Sequence, residues 1–171
     1  VKNVMKIALG SDHCGYEMKT ALLPVFRKLG CQFTDFGCVS TEPVDFPDIA
    51  RKVCDAVRNG EYERGIMICG TGVGAAMAAN KIPGIRASVC HDVHSAHQSV
   101  EHDNANVMCI GAQIIGSWLA EDLIRTFLTA KFSTEEHFQR RVRKLHELEL
   151  ESARELMDSA QNLSYVEEEF S

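Results

Sequence analysis

Short apolar runs alternate along this chain with longer stretches whose apolar side chains recur every three or four residues. Residues 5–10 read as a buried strand, and residues 17–29 carry apolar side chains at 18, 21, 22, 25, 26 and 29, a helical stripe. Gly30 suits the C-terminal cap of that helix. A second strand is predicted over 31–36 and a second helix over 48–58, entered through Pro47 and left at Asn59-Gly60. Residues 65–69 form a strand that runs straight into a glycine-rich segment, 70–74, and a small-residue helix over 75–81 stops near Pro83-Gly84. Strands over 86–90 and 107–110 and helices over 94–102 and 117–128 complete the pattern. This order predicts an α/β fold, a Rossmann-like parallel five-stranded sheet with helices on both faces.

Beyond the sheet, 135–163 is predicted as a long C-terminal helical extension. Its stripe is Val142, Leu145, Ala153, Leu156, Ala160 and Leu163, with charges filling the other faces. Burial on a second subunit and packing back on its own domain both satisfy that spacing. The chain reads as one domain over 1–171, with 135–163 as the extension and 164–171 as a solvated tail.

Composition narrows the function classes. The 171 residues are 45% hydrophobic and 25% charged, an ordinary globular mixture able to bury a core without staples. Eighteen Lys/Arg against 24 Asp/Glu give a net charge of −6, which argues against a nucleic-acid partner held by phosphate neutralisation. The excess sits in 135–171, so the body is nearly neutral. No apolar run approaches the roughly 20 residues of a membrane span, and residues 1–10 lack a secretory pattern. Seven cysteines, an odd number without Cys-x-x-Cys, fit free thiols in a reducing compartment, so a cytoplasmic location is expected. Cys31, Cys90 and Cys109 lie in apolar runs and read as core residues.

The candidate chemistry lies where strands end. In Cys69-Gly-Thr-Gly-Val-Gly74, glycines at 70, 72 and 74 let backbone N–H groups approach an anion, or simply form a tight strand–helix turn. Cys69 ahead of that loop is either a stabilised thiolate able to act as base or nucleophile, or an inert thiol ending a strand. Asp12 and His13 follow the first strand and suit sugar hydroxyls or proton transfer, or else are a turn former and a surface imidazole. His91, His94, His97 and His102 complete no metal-ligand pattern, so neither a native metal nor a cofactor is expected.

Several segments then match one family in order. They are residues 10–15 (Gly-Ser-Asp-His-Cys-Gly), 65–74, 78–81 (Ala-Ala-Asn-Lys), 84–87 (Gly-Ile-Arg-Ala), 102–107 (His-Asp-Asn-Ala-Asn-Val) and 137–142 (His-Phe-Gln-Arg-Arg-Val). The chain resembles the ribose-5-phosphate isomerase B family, which includes the bacterial galactose-6-phosphate isomerase subunits. The resemblance implies metal-free aldose–ketose isomerisation of a phosphosugar through a cis-enediolate, with ribose 5-phosphate to ribulose 5-phosphate as the default. It also implies a homodimer, or a dimer of dimers, with active sites built from two subunits. Cys69 matches the family base, and Thr71 with the backbone of Gly70, Gly72 and Gly74 matches the anion hole. Asp12 and His13 match residues lining the sugar and phosphate site. His102 matches the ring-opening histidine, contributed by the neighbouring subunit, and Arg140 a phosphate-binding arginine.

There are departures as well. Gln113 and Glu136 stand where family members commonly carry arginine, Asp103 where they carry asparagine in the substrate site, and Phe46 where a tyrosine often stands. Three of these changes remove donors or add negative charge at the expected phosphate pocket, with Arg141 or Arg143 as candidates to compensate. Two alternatives therefore stand beside the default. One is isomerisation of another phosphosugar, galactose 6-phosphate-like or a tetrose or pentose phosphate. The other is a catalytically silent sugar-phosphate-binding homologue.

Overall fold

A computed structural model describes residues 4–159. In chain order the elements are β1 (Lys6–Ser11), α1 (Tyr16–Lys28), β2 (Gln32–Asp35), α2 (Phe46–Arg58), β3 (Arg64–Cys69), α3 (Val73–Ala79), β4 (Ala87–Val89), α4 (Val93–Glu101), β5 (Val107–Gly111), α5 (Ser117–Thr129) and α6 (Glu136–Ser159). The five strands are all parallel, in the order β2-β1-β3-β5-β4. The chain divides into two compact units between Ser133 and Thr134, the first holding the sheet and the second α6.

Side chains alternate across a strand, so each strand serves two cores. Ile7, Leu9, Ile66, Ile68 and Ile110 face α1, α4 and α5, where Phe26, Val100 and Phe127 are fully or almost fully buried. Ala8, Met67 and Cys109 point the other way, towards Val53 of α2 and Ala75 and Ala79 of α3. Burial on both faces is why the central strands read as unbroken apolar runs. The element limits differ from the sequence expectation in informative places. α2 starts at Phe46, because Pro47 takes a first-turn position where no N–H partner is needed. α3 spans 73–79 rather than 75–81, because Gly72, at φ +81°, turns β3 directly into it. The outer strands β2 and β4 are only four and three residues long.

One polar side chain lies inside the first core's margin. Lys19 is 1% exposed; its ammonium pairs with Asp35 at 2.8 Å and donates to the Cys38 carbonyl at 2.5 Å. Ser11 and the 37–38 segment exchange backbone hydrogen bonds, so this lysine fixes the loop beside the carboxyl end of β1. Lys19→Met takes this donor from the Cys38 carbonyl and leaves the Asp35 carboxylate only the Gly37 N–H. Asp35 is a third exposed and regains some water, so a loss of about 2–3 kcal/mol is expected in urea unfolding. An unchanged midpoint would remove this ion pair from the account.

In the second unit, α6 runs for 24 residues and buries none of them. Leu145 and Leu156 of its apolar stripe are about half exposed. Arg143, a candidate to compensate for Glu136, is instead paired with Glu136 itself, and Arg141 lies over the Phe138 ring. Ala160, Leu163 and the 164–171 tail fall outside the described residues. Among the described residues no helix is long and apolar enough to cross a membrane.

Candidate active site

The sheet's strand order reverses between β1 and β3. From β1 the chain passes to β2 on one side and later to β3 on the other. α1 packs on one face and α3 on the opposite face, which leaves a crevice beyond the carboxyl ends of β1 and β3. The segments 12–15 and 69–74 both lie there. Asp12 N–H donates to the Ile68 carbonyl at 3.2 Å and joins the two strand ends.

Cys69 closes β3 and is 4% exposed. The Gly72 N–H donates to its Sγ at 3.1 Å, a fixed donor that stabilises negative charge on sulfur. Its backbone is clamped too, since its carbonyl accepts from Ala112 N–H at 2.8 Å. The loop that follows is tight at two points. A Cβ on Gly72 would lie 3.2–3.3 Å from β5 backbone, and one on Gly74 would lie 2.9 Å from Phe46 Cζ. Phe46 thus covers the loop with an apolar ring. Thr71 is exposed at the loop's tip, its Oγ1 accepting from Val73 N–H at 3.4 Å. Behind it, a Cβ on Gly111 would meet the Thr71 backbone at 2.7–2.8 Å.

Burial pushes Cys54 up to about 12 and Cys109 well above its ordinary value, and it raises Cys90 and Cys31. Those four are held as neutral thiols, as expected for packing residues; Cys31 is only half-buried.

Across the crevice, Asp12 is 7% exposed and accepts the Gly15 N–H at 3.0 Å. His13 Nδ1 accepts the Val44 N–H at 3.2 Å, so the neutral ring carries its proton on Nε2. Cys14 is exposed, and its pKa is raised by desolvation, by the Asp12 carboxylate and by the Cys69 thiol. The Gln113 carboxamide lies over Gly70, its Oε1 3.1 Å from where a Cβ there would sit.

His91 is a functional candidate that its surroundings reveal and its spacing did not. It follows β4, and its Nε2 accepts the Gly111 N–H at 3.0 Å, supporting the backbone that backs Thr71. The usable signal was its place at a strand's carboxyl end. His97 instead pairs with Glu101 along α4.

Within the first unit, His102 and Asp103 do not meet Cys69. His102 caps the C-terminal end of α4, and Asp103 follows it, ahead of the amino end of β5. Cys69 is level with Gly111 at the opposite end of that strand. The length of β5, about 13 Å from Val107 to Gly111 at roughly 3.3 Å per step, separates them. Arg140 lies exposed on α6, in the second unit.

A doubly wound parallel sheet with a thiol and a glycine-rich loop at its switch point defines an α/β protein of the small-ligand-binding class. Residues 7–145 match the family model described as Ribose/Galactose Isomerase, and the chain belongs to that family. It is 47% identical over 129 residues to a ribose-5-P isomerase B of Listeria innocua, covering 75% of this chain and 87% of the relative. It is 37% identical over 130 residues to a D-erythrulose-4-phosphate isomerase of Pectobacterium atrosepticum, covering 75% and 86%. A solved Clostridium thermocellum ribose-5-phosphate isomerase B superposes with a TM-score of 0.84 at 44% identity, covering 86% of this chain and 99% of that one.

Proposed function

We propose that this chain interconverts an aldose phosphate and its ketose through a cis-enediolate, with ribose 5-phosphate to ribulose 5-phosphate as the leading reaction. The observation that carries this reading is the Cys69 sulfur, held by the Gly72 N–H at the mouth of a loop with glycine at every second position. The Cys69 thiolate takes the proton from C2 of the open-chain aldose and returns it to C1. Negative charge that develops on the enediolate oxygens meets backbone N–H groups of Gly70 to Gly74 and the Thr71 hydroxyl, fixed dipoles that need no reorganisation. Asp12 accepts from sugar hydroxyls, and His13 donates from Nε2. No metal takes part, and activity survives chelation.

His102 opens the furanose ring from the second subunit of a homodimer, and Asp103 contributes to the same substrate site. This reading is supported by their distance from Cys69 within one chain and by the exposed stripe of α6. Arg140 pairs with the phosphate dianion, as guanidinium geometry favours. Light scattering alongside activity across a dilution series tests the assembly; full activity in a monomeric species would refute it.

A second reading keeps the chemistry and changes the sugar. Gln113 is neutral and Glu136 is already paired with Arg143, so the phosphate site is poorer in cations than the family pattern. Ketose formation from a panel of tetrose, pentose and hexose phosphates tests both readings, and a silent binding protein turns over none of them. The second reading expects weak ribose 5-phosphate turnover with a better rate on another sugar, and the first expects ribose 5-phosphate to be the best of the panel. Gln113→Arg adds a charge-assisted bond and lowers KM for ribose 5-phosphate on the order of ten-fold. An unchanged KM would separate Gln113 from the phosphate.

A further inference from the structure

The turn after β1 gathers three metal-ligating side chains, of which the isomerase reading uses two. One ligand atom each from Asp12, His13 and Cys14 lie within 4.8 Å of one another. Among the described residues no other three such side chains converge in this way, the histidines of α4 included. Asp12 is more than nine-tenths buried. One carboxylate oxygen accepts the Gly15 N–H, and no hydrogen bond among the described residues reaches the other. Cys14 is exposed, so an ion arriving from solvent reaches the thiol first. Nothing in the enediolate chemistry calls for a thiol at that position.

We propose that Asp12, His13 and Cys14 form a site for a thiophilic divalent cation, zinc above all, whose binding inhibits the isomerase. One sulfur, one nitrogen and one oxygen donor are a zinc set, whereas magnesium and calcium prefer oxygen alone. Bond lengths of about 2.0–2.3 Å in a tetrahedron place donors about 3.3–3.6 Å apart, so modest side-chain rotations close the site. Water fills the fourth position. Binding displaces the Cys14 thiol proton to solvent as the zinc–sulfur bond forms, and the His13 ring gives up the Val44 N–H bond to offer its Nδ1 lone pair to the ion. The ion then occupies Asp12 and His13, the groups assigned to the sugar, and so competes with it. The inhibition rests on the isomerase reading, whereas the binding does not.

Cobalt(II) titration of the full chain reads the binding directly. A thiolate-to-cobalt charge-transfer band with tetrahedral visible bands is expected in the wild type and in Cys69→Ser, and is lost in Cys14→Ala. In parallel, zinc chloride at about ten times its Kd lowers wild-type turnover at subsaturating sugar by about ten-fold, through simple mass action. Cys14→Ala keeps its basal activity and loses that sensitivity, and a chelator restores the wild type. Absence of the cobalt band in the wild type would overturn the site. So would a band, or undiminished zinc inhibition, that persists in Cys14→Ala and disappears only with Cys69. An inactive protein that still shows the Cys14-dependent band would sink the isomerase reading and leave the metal site standing.

Discussion

Cys69→Ala is expected to abolish isomerisation while leaving the fold intact. The side chain is almost fully buried, but it is small and sits at the rim of its core rather than in its middle. Removing it costs one sulfur's packing and the hydrogen bond from Gly72 N–H. The chemical loss is far larger. Without a positioned base, proton transfer falls back on water, and general-base contributions are typically on the order of 10²–10⁴-fold. Turnover should drop by at least that range in a coupled ketose assay, with an unchanged far-ultraviolet spectrum. Cys69→Ser should resemble Cys69→Ala, because a hydroxyl in the same place is too weak a base near neutral pH. Substantial turnover by either variant would move the base to another residue.

The largest structural effect is expected at Gly15. Its φ of −92° suits any residue, so conformational freedom is not the reason for glycine. Space is the reason. A Cβ there would overlap the carbonyl oxygen and carbon of Ile68, which are β3 backbone and have no rotamer to escape into. Gly15→Ala must therefore push the β1–α1 turn away from β3, and those two segments carry Asp12 and Cys69. Overpacking costs about 1–3 kcal/mol where side chains can yield, so a loss of about 3 kcal/mol or more is expected here. kcat/KM for the sugar should fall as well, since the crevice walls move apart. Gly116→Ala is the matched control. Its φ is −85° and no heavy atom comes within 4 Å of its Cβ position, so stability should change by less than about 0.5 kcal/mol. Equal unfolding midpoints for the two variants would contradict the close approach of β1 and β3.

These two positions mark what the sequence made legible and what it did not. The alternation of apolar runs and stripes located all five strands and the helices, because the central strands β1, β3 and β5 are buried on both faces and the helices that cover the sheet on one. Strand order was out of reach. That β5 inserts between β3 and β4 depends on how helices cover the two faces, not on any local pattern. Cys69 and its glycines stood out because backbone without side chains is rare and leaves a mark in sequence. Lys19 did not, since a lysine inside a helical stripe reads as solvated until Asp35 and the Cys38 carbonyl are seen around it. His91 was grouped with its helix neighbours by spacing, whereas its partner is the Gly111 N–H on another strand. Cys14 was hidden for a related reason. Its companions Asp12 and His13 are adjacent in sequence, and only the turn's geometry brings three donor atoms to one point.

Solvent isotope exchange tests the central claim most directly. Wild-type protein and Cys69→Ala are incubated with ribose 5-phosphate in D2O, and deuterium in the recovered aldose and ketose is followed by proton NMR. The wild type is expected to introduce deuterium at C2 of the aldose and C1 of the ketose, and the Cys69→Ala protein to introduce none above the buffer rate. Exchange in Cys69→Ala at the wild-type rate would contradict the assignment of Cys69 as the base that forms the enediolate.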